Sequence, residues 1–105
     1  MIEAAIARIG ELGYLDDNAY ASRRALILAE KGYGDFAIRV FLEGIGLPEA
    51  FAARAVSALP KDLGEQKRIQ GIIKKRADLP REKLIRFLSG RGFPIELILE
   101  ETDRG

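Results

Sequence analysis

The sequence predicts an all-α protein made of tandem three-helix repeats, with two complete units and one leading helix. Apolar residues fall at helical spacing along nearly the whole chain, and no stretch keeps the two-residue alternation of a strand. A short segment also recurs 46 residues further along the chain. In such arrays each unit packs only against the units next to it. We therefore expect an elongated, right-handed helical-repeat arrangement.

The recurring segment occupies residues 38–48 and again residues 84–94. Both copies place two glycines and a proline in the same register after an apolar helix. Glycine and proline at fixed positions after a helix indicate a stop and a restart of the chain. The identical pairs are Phe41/Phe87, Leu42/Leu88, Gly44/Gly90, Gly46/Gly92 and Pro48/Pro94.

The first elements read in order as a leading helix and a longer second helix. Residues 2–12 carry apolar side chains at i, i+3, i+4 and i+7 spacing, and Gly13 follows as a stop. Asp16 and Asp17 are expected to cap the next helix, which runs to about Lys31. A metal or acid–base role for this carboxylate pair is the alternative, but no further ligands lie nearby in sequence.

Two shorter helices complete the first unit. Asp35 is expected to cap a helix over roughly 36–43, which ends at Gly44 or Gly46. Pro48 opens the next helix, where its missing N–H carries no cost. Each helix needs an apolar face for the core. The residues expected to supply it are Phe36, Ile38 or Val40, Phe41 and Leu42 in the first helix, and Phe51, Ala52, Ala55, Val56 and Leu59 in the second.

The second unit repeats this plan. After a break at residues 60–62 we expect a helix over 63–77, another over 81–89, and a final helix from Pro94 to about Glu101. The predicted organisation is therefore 1–13 as the last helix of a preceding repeat, 14–60 as one unit and 61–105 as a second, basic unit.

Composition restricts the classes of function. The chain has 105 residues and neither cysteine nor histidine, which removes disulfides, thiol nucleophiles, the usual zinc sites and the commonest general base. We therefore expect no enzyme, no cofactor and no metal. No apolar run is long enough to cross a bilayer, and the N-terminus lacks the features of a signal peptide, so we expect a cytoplasmic protein.

Positive charge is concentrated in the second unit. The formal net charge is only +1, yet residues 61–91 hold ten Lys/Arg against four Asp/Glu. Such a segment can attract an anionic partner, although most charge runs are simply solvated helix faces, and both interpretations stay open. The residues predicted to bind a partner or DNA are Lys67, Arg68, Lys74, Lys75, Arg76, Arg81, Lys83, Arg86 and Arg91.

Four of these side chains form a stripe on the predicted helix 63–77. Lys67, Arg68, Lys74 and Lys75 fall within about 120° of arc at 100° per residue, opposite the isoleucines of the same helix. The stripe is suited to phosphates or to the acidic wall of a protein groove. We expect weak, salt-sensitive binding to single-stranded DNA from such contacts.

Aromatic and glycine residues invite functional interpretations that the sequence does not favour. Tyr14, Tyr20 and Tyr33 could stack on bases, but beside helix ends they are more often packing residues. The Gly-x-Gly pairs lack the strand and the Lys-Ser/Thr of phosphate loops, so we interpret them as helix stops.

Several ordered motifs resemble the RecX family, regulators of the bacterial recombinase RecA. They are Leu12-Gly13-Tyr14-Leu15-Asp16-Asp17 followed by Ala19-Tyr20-Ala21, Lys31-Gly32-Tyr33-Gly34, Gly44-Ile45-Gly46, and Leu84-Ile85-Arg86-Phe87-Leu88 with Arg91-Gly92-Phe93. The similarity extends over nearly the whole chain. Glu43 departs from it, because the family often has a basic residue before this glycine.

The resemblance implies a fold of tandem three-helix repeats and a non-enzymatic role in DNA repair and the SOS response. It implies a protein that binds the RecA–DNA filament in its groove and restrains strand exchange and co-protease activity. Family members usually carry one more N-terminal repeat, so an activity that needs three repeats would be weakened here.

Two alternatives from other classes of function remain at this point. The basic unit could act as a free-standing helical nucleic-acid-binding module without RecA. The chain could instead be a protein-interaction module that forms a dimer through helix 2–12, whose apolar face a preceding repeat would otherwise cover. Bare and RecA-coated single-stranded DNA would separate the first alternative from a RecA regulator.

Overall fold

Six α-helices make up the part of the chain that the structure, a computed structural model, describes: residues 14–104, with side chains for 17–103. They are α1 (Tyr14–Glu30), α2 (Asp35–Gly44), α3 (Glu49–Ser57), α4 (Glu65–Lys75), α5 (Arg81–Gly90) and α6 (Ile95–Arg104), with a 3₁₀ turn at Lys61–Leu63 before α4. No strand occurs in this part, so the all-α prediction is confirmed. The predicted helix 2–12 and its apolar dimer surface lie outside the described residues.

Two separate hydrophobic cores form, one on each side of residue 60. The first is drawn from α1, α2 and α3 and is centred on the fully buried Ile38 and Leu42. The second is drawn from α4, α5 and α6 and is centred on Ile69, Leu88 and Ile98. Each set of three helices therefore buries its own apolar faces.

The molecule is elongated. Its principal extents are 49 × 24 × 20 Å and its radius of gyration is 16.0 Å. A compact chain of this length would have a radius of gyration of about 13 Å. Two small cores placed end to end explain the difference, because neither unit wraps around the other.

The recurring segment has the same backbone conformation in both copies. Gly46 and Gly92 adopt positive φ values of 104° and 92° directly after α2 and α5. The N–H of the next residue then bonds back to the helix, from Leu47 to Leu42 and from Phe93 to Leu88. This is the Schellman pattern, in which glycine takes the left-handed position that a side chain disfavours.

The helix starts differ from the sequence expectation at two places. The first helix begins at Tyr14, so Asp16 and Asp17 lie within its first turn and do not precede it as caps. The second begins at Asp35 with Gly34 as its N-cap residue, and Asp35 makes no capping bond to its own helix. Its carboxylate is engaged instead by the second unit, through Arg68.

Phe36 and Phe41, both expected in the first core, are exposed, and so is Val40, the alternative to Ile38. Phe36 is 61% exposed, Val40 52% and Phe41 38%, whereas Ile38 and Leu42 on the same helix are fully buried. A helix this short presents only a narrow stripe to its two partners, so the flanking apolar positions stay outside. Phe41 instead lies under the guanidinium of Arg24, 5.3 Å from the ring centroid.

Over the described residues, none of the helices combines the length and the apolar character that a membrane span requires.

Candidate protein and nucleic-acid interface

Arg68 joins the two units. It is 6% exposed and donates from Nε to the carbonyl of Leu63 at 2.7 Å. Its two terminal nitrogens reach across to the first unit, to the carbonyl of Tyr33 and the carboxylate of Asp35, both at 2.5 Å. This placement corrects the expectation that Arg68 belongs to an exposed stripe. The planar guanidinium group can donate to two carbonyls and a carboxylate at the same time. A solvent-exposed arginine would leave this capacity unused.

Glu65 strengthens the same contact from the preceding turn of α4. Its carboxylate accepts a hydrogen bond from the backbone N–H of Asp35 at 2.9 Å, and so occupies the N-terminus of α2. Burial raises the pKa of Glu65, and the neighbouring Asp35 carboxylate raises it further. The Asp35 N–H, Arg68 and Arg39 act in the opposite direction, but the net direction is upward.

The backbone of the α5–α6 turn completes the contact. The Gly34 N–H donates to the carbonyl of Arg91 at 2.7 Å, and the Arg91 guanidinium donates to the carbonyl of Lys31 at 3.0 Å. A Cβ added to Gly34 would lie 2.4 Å from the carbonyl oxygen of Gly92. The two backbones therefore touch, and glycine at position 34 is required by the close approach.

A basic cleft of about 320 Å³ opens beside this contact. The cationic side chains that line it come from both units: Lys31 from the first, and Lys67, Lys75, Arg76 and Arg91 from the second. Arg68 lies in its wall, and Glu30 is the one acidic residue among its lining residues. The cleft thus gathers positive charge that the sequence assigned to the second unit alone.

Two of these cations, Arg76 and Arg91, stack on the aromatic ring of Phe87. The guanidinium carbons of Arg76 and Arg91 lie 4.4 Å and 4.8 Å from the ring centroid of Phe87, and Arg91 also lies 4.5 Å from that of Tyr33. Stacking of this kind holds flat guanidinium groups in place without neutralising their charge. Phe87 is accordingly half-buried at the cleft and is not a central core residue.

The remaining predicted site residues lie outside the cleft. Lys74 and Lys83 are exposed on α4 and α5. Arg81 is paired with Asp103 near the end of α6. Arg86 lines a different groove, between α5 and α6, together with Ile85 and Ile95. The structure therefore brings together Lys67, Lys75, Arg76 and Arg91, with Arg68 behind them.

Lys31 was missed by reasoning from the sequence, because it belongs to a segment with no excess of positive charge. The sequence did contain a signal for Lys31, in the form of a second internal alignment at a spacing of 44 residues. Ala25 and Ile69 are both fully buried on the first helix of their units, 44 residues apart. At that spacing Arg23 aligns with Lys67, Arg24 with Arg68, and Lys31 with Lys75. The connection to the next helix is longer in the second unit, so the 46-residue spacing of the later helices hides the match.

Over residues 14–104, no group of three or more acidic, histidine or cysteine side chains is placed to hold a metal ion. What the cleft offers chemically is a concave, positively charged surface flanked by hydrogen-bond donors. Such a surface suits an extended anionic partner.

Curated proteins named "Regulatory protein RecX" are similar to this chain. The protein from one strain of Thermus thermophilus is 33% identical over 98 residues, and the match covers 93% of this chain and 66% of that protein. The protein from Pseudomonas syringae pv. tomato is 34% identical over 107 residues with the same coverage. The protein from Cronobacter sakazakii is 36% identical over 100 residues, covering 90% of this chain and 61% of that protein.

The chain spans just under two thirds of the length of these relatives. No family model matches it. No solved structure matches it either.

Proposed function

The chain belongs to the RecX family of regulatory proteins, and from this premise we propose that it binds the RecA–DNA filament and restrains the activities of RecA. It acts in the cytoplasm, without catalysing a reaction of its own. The observation that carries the proposal is the convergence of cations from both units in one cleft. The relatives' shared name supports a regulatory role.

The cleft provides the docking surface for the filament. Lys31, Lys67 and Lys75 are exposed, and within the described part of the chain no carboxylate forms an ion pair with them. Their charge is therefore available to a partner. Phosphates of the bound DNA or acidic side chains of the recombinase both fit such a surface.

Both units contribute to docking, because the cleft exists only where they meet. The contact made by Arg68, Glu65 and Arg91 fixes the position of Lys31 relative to Lys67. Binding energy is larger when the surface is preformed, since less ordering is required on association. In this proposal Arg68 acts as a positioning residue, while Lys31, Lys67 and Lys75 meet the partner.

The test is inhibition of the RecA ATPase on single-stranded DNA by the chain and by charge-reversed variants. The double variant Lys67→Glu, Lys75→Glu should raise the concentration needed for half-inhibition by about tenfold or more, since each close charge contact contributes on the order of 1 kcal/mol. The matched control is Lys83→Glu, Arg86→Glu, which changes net charge equally but lies outside the cleft. Equal losses from the two pairs would assign the effect to net charge and would contradict the cleft.

A free-standing nucleic-acid-binding module is the second candidate function, because the same cations could meet bare DNA phosphates. Co-sedimentation with bare and with RecA-coated single-stranded DNA, at physiological salt, distinguishes the two. Retention on coated DNA that exceeds retention on bare DNA supports the filament. Equal retention on both would favour the free-standing module.

A further inference from the structure

Gly71 is a glycine that the fold does not require. It lies in the middle of α4, where glycine is less stable than alanine. It is not one of the glycines with positive φ, which are Gly32, Gly46 and Gly92. Apart from its own helix backbone, a Cβ built on Gly71 would meet no atom of the described residues within 4 Å. Neither the backbone conformation nor the surrounding space therefore calls for glycine.

The first unit shows that a large side chain is compatible with this position. In the 44-residue alignment of the two units, Gly71 corresponds to Ile27 of α1. Ile27 is 39% exposed and lies within a regular helix. The matching helix of the other unit thus carries a β-branched residue without disruption. The reason for a glycine at position 71 is therefore to be sought at the surface that it faces.

That surface is the basic cleft. Lys67, Gly71 and Lys75 follow one another at i, i+4 and i+8 on α4, and all three line the cleft. Because the helix rises 1.5 Å per residue, the Cα atoms of the two lysines are about 12 Å apart along its axis. Gly71 has no side chain to fill the gap between them. A ligand that enters this gap can approach the backbone of α4 directly.

Part of the positive charge of the cleft is within reach only of a ligand that enters it. Lys67 and Lys75 are exposed, whereas Arg91 is half-buried and stacked on aromatic rings. An anionic chain held at the ends of the lysine side chains would meet the two lysines alone. A chain that lies against Gly71 enters the cleft that Arg91 also lines, and comes closer to its charge.

We propose that Gly71 admits a phosphodiester backbone to the floor of the cleft, so that the DNA strand of the filament, and not an acidic segment of protein, lies between Lys67 and Lys75. This inference rests on the proposed function and identifies the component of the filament that meets the cleft. The physical reason is where each partner carries its charge. A nucleic acid carries it in the chain itself, so the chain has to come close to the cations. Aspartate and glutamate carry it at the ends of side chains, which reach over a bulkier residue.

The experiment replaces Gly71 by isoleucine, the residue of the first unit, and by alanine. Both variants should have a higher Tm than the parent, by about 3–5 °C for alanine, because both residues have a higher helix propensity than glycine. Their binding to a labelled single-stranded oligonucleotide is then measured by fluorescence anisotropy. Gly71→Ile should weaken it by about tenfold, as two close charge contacts are lost, and Gly71→Ala should weaken it less.

The salt dependence gives a second measurement on the same variants. When two phosphates lose their contacts, the slope of log K against log salt should become shallower by about 1.4. We expect this change for Gly71→Ile. A variant that is more stable than the parent and yet binds more weakly does not owe its loss to misfolding.

Two controls separate the approach of the chain from other effects. Gly44→Ala changes a glycine of α2 that lies outside the lining of the cleft, and it should leave oligonucleotide binding unchanged. An oligo-glutamate peptide of the same net charge as the oligonucleotide is the second probe. Gly71→Ile should weaken binding of this peptide by less than about twofold, because glutamate side chains still reach the lysines.

Parent-like binding of the oligonucleotide by Gly71→Ile, together with a loss of binding by Lys67→Glu, Lys75→Glu, would overturn this inference and leave the proposed docking surface intact. Parent-like binding by both variants would overturn the docking surface as well. Equal losses on the oligonucleotide and the peptide would show that Gly71 does not favour a phosphodiester. A Tm below that of the parent for Gly71→Ala would contradict the inference too, since the fold would then need the glycine.

Discussion

At the scale of single residues, Arg68 shows how one side chain changes role between sequence and structure. In sequence it is one of ten positive residues in a basic segment, and in the fold its guanidinium is buried and bonded to three oxygens. Its neighbour Lys67 points into the basic cleft. Adjacent residues on a helix are 100° apart, so one turns inward where the next meets solvent.

Replacing Arg68 by methionine should therefore destabilise the protein strongly. Asp35 would lose its ion pair, and two carbonyls would lose their donors, at a combined cost of about 2–4 kcal/mol. The free energy of unfolding in urea measures this loss. Lys67→Met is the matched control and should change it by less than about 0.5 kcal/mol, as expected for an exposed position. Similar losses in the two variants would show that Arg68 does not join the units.

The raised pKa of Glu65 predicts that the stability of the folded protein depends on pH, and it gives the direction of that dependence. Its pKa in the folded protein is raised above the ordinary value of 4.5, so the folded state favours the protonated carboxyl. Protonation of Glu65 therefore stabilises the folded state. This stabilisation is present in full below pH 4.5 and is lost as the pH rises through the raised pKa. Glu65→Gln keeps an oxygen acceptor for the Asp35 N–H without the charge.

The Glu65→Gln variant should accordingly be more stable than the parent chain at pH 7, and the difference should vanish below about pH 4.5. Thermal unfolding across this pH range gives the measurement. A variant less stable than the parent at pH 7 would mean that attraction to Arg68 and Arg39 outweighs the burial of the charge.

At the scale of elements, the turns between helices carry the contact between the units. The α1–α2 turn of the first unit meets the α5–α6 turn of the second, backbone against backbone, at Gly34 and Gly92. The helices form the two cores, but the contact between these turns determines how one unit packs against the other. Because two backbones can approach this closely only without a Cβ, glycine at position 34 is a packing requirement.

Gly34→Ala should weaken the contact. The added Cβ would lie 2.4 Å from the Gly92 carbonyl oxygen, so the turns must separate, at a cost of about 1–3 kcal/mol. Gly44→Ala is the control, since no atom lies within 4 Å of a Cβ there and alanine favours the helix. Urea unfolding should show opposite signs for the two variants. A Gly34→Ala variant with the same free energy of unfolding as the parent would show that the two turns lie further apart than in this structure.

At the scale of the whole molecule, two small cores in line give a rod with a positively charged cleft at its middle. Neither unit alone holds the cleft, because its cations come from both sides of the contact. The net charge of +1 does not reveal this, since most of the acidic residues lie elsewhere along the chain. The distribution of charge, and not its total, governs association with an anionic partner.

Binding to single-stranded DNA should fall steeply with salt. If Lys31, Lys67, Lys75 and Arg76 each meet one phosphate, the slope of log K against log salt should be about −3. Fluorescence anisotropy with a labelled oligonucleotide measures it, and the Lys67→Glu, Lys75→Glu variant should show a shallower slope. Binding that is unchanged between low and physiological salt would contradict phosphate contacts.

The sequence by itself determined the helical class, the repeated turn and the segment that holds the positive charge. These features follow from local rules: apolar spacing, left-handed glycines and the identity of charged residues. Residues 38–48 and 84–94 match in sequence alone, and they share one backbone conformation.

Only the tertiary structure decided which charges are available and where they meet. Arg68 turned inward and Lys31 joined Lys67 because two units pack at one particular angle, which depends on Gly34, Glu65 and Asp35 together. The exposure of Phe41 has the same origin, since burial depends on which neighbours lie across from a helix. Local sequence patterns report the conformation of a segment, whereas the partner of a side chain is set by contacts between residues far apart in the chain.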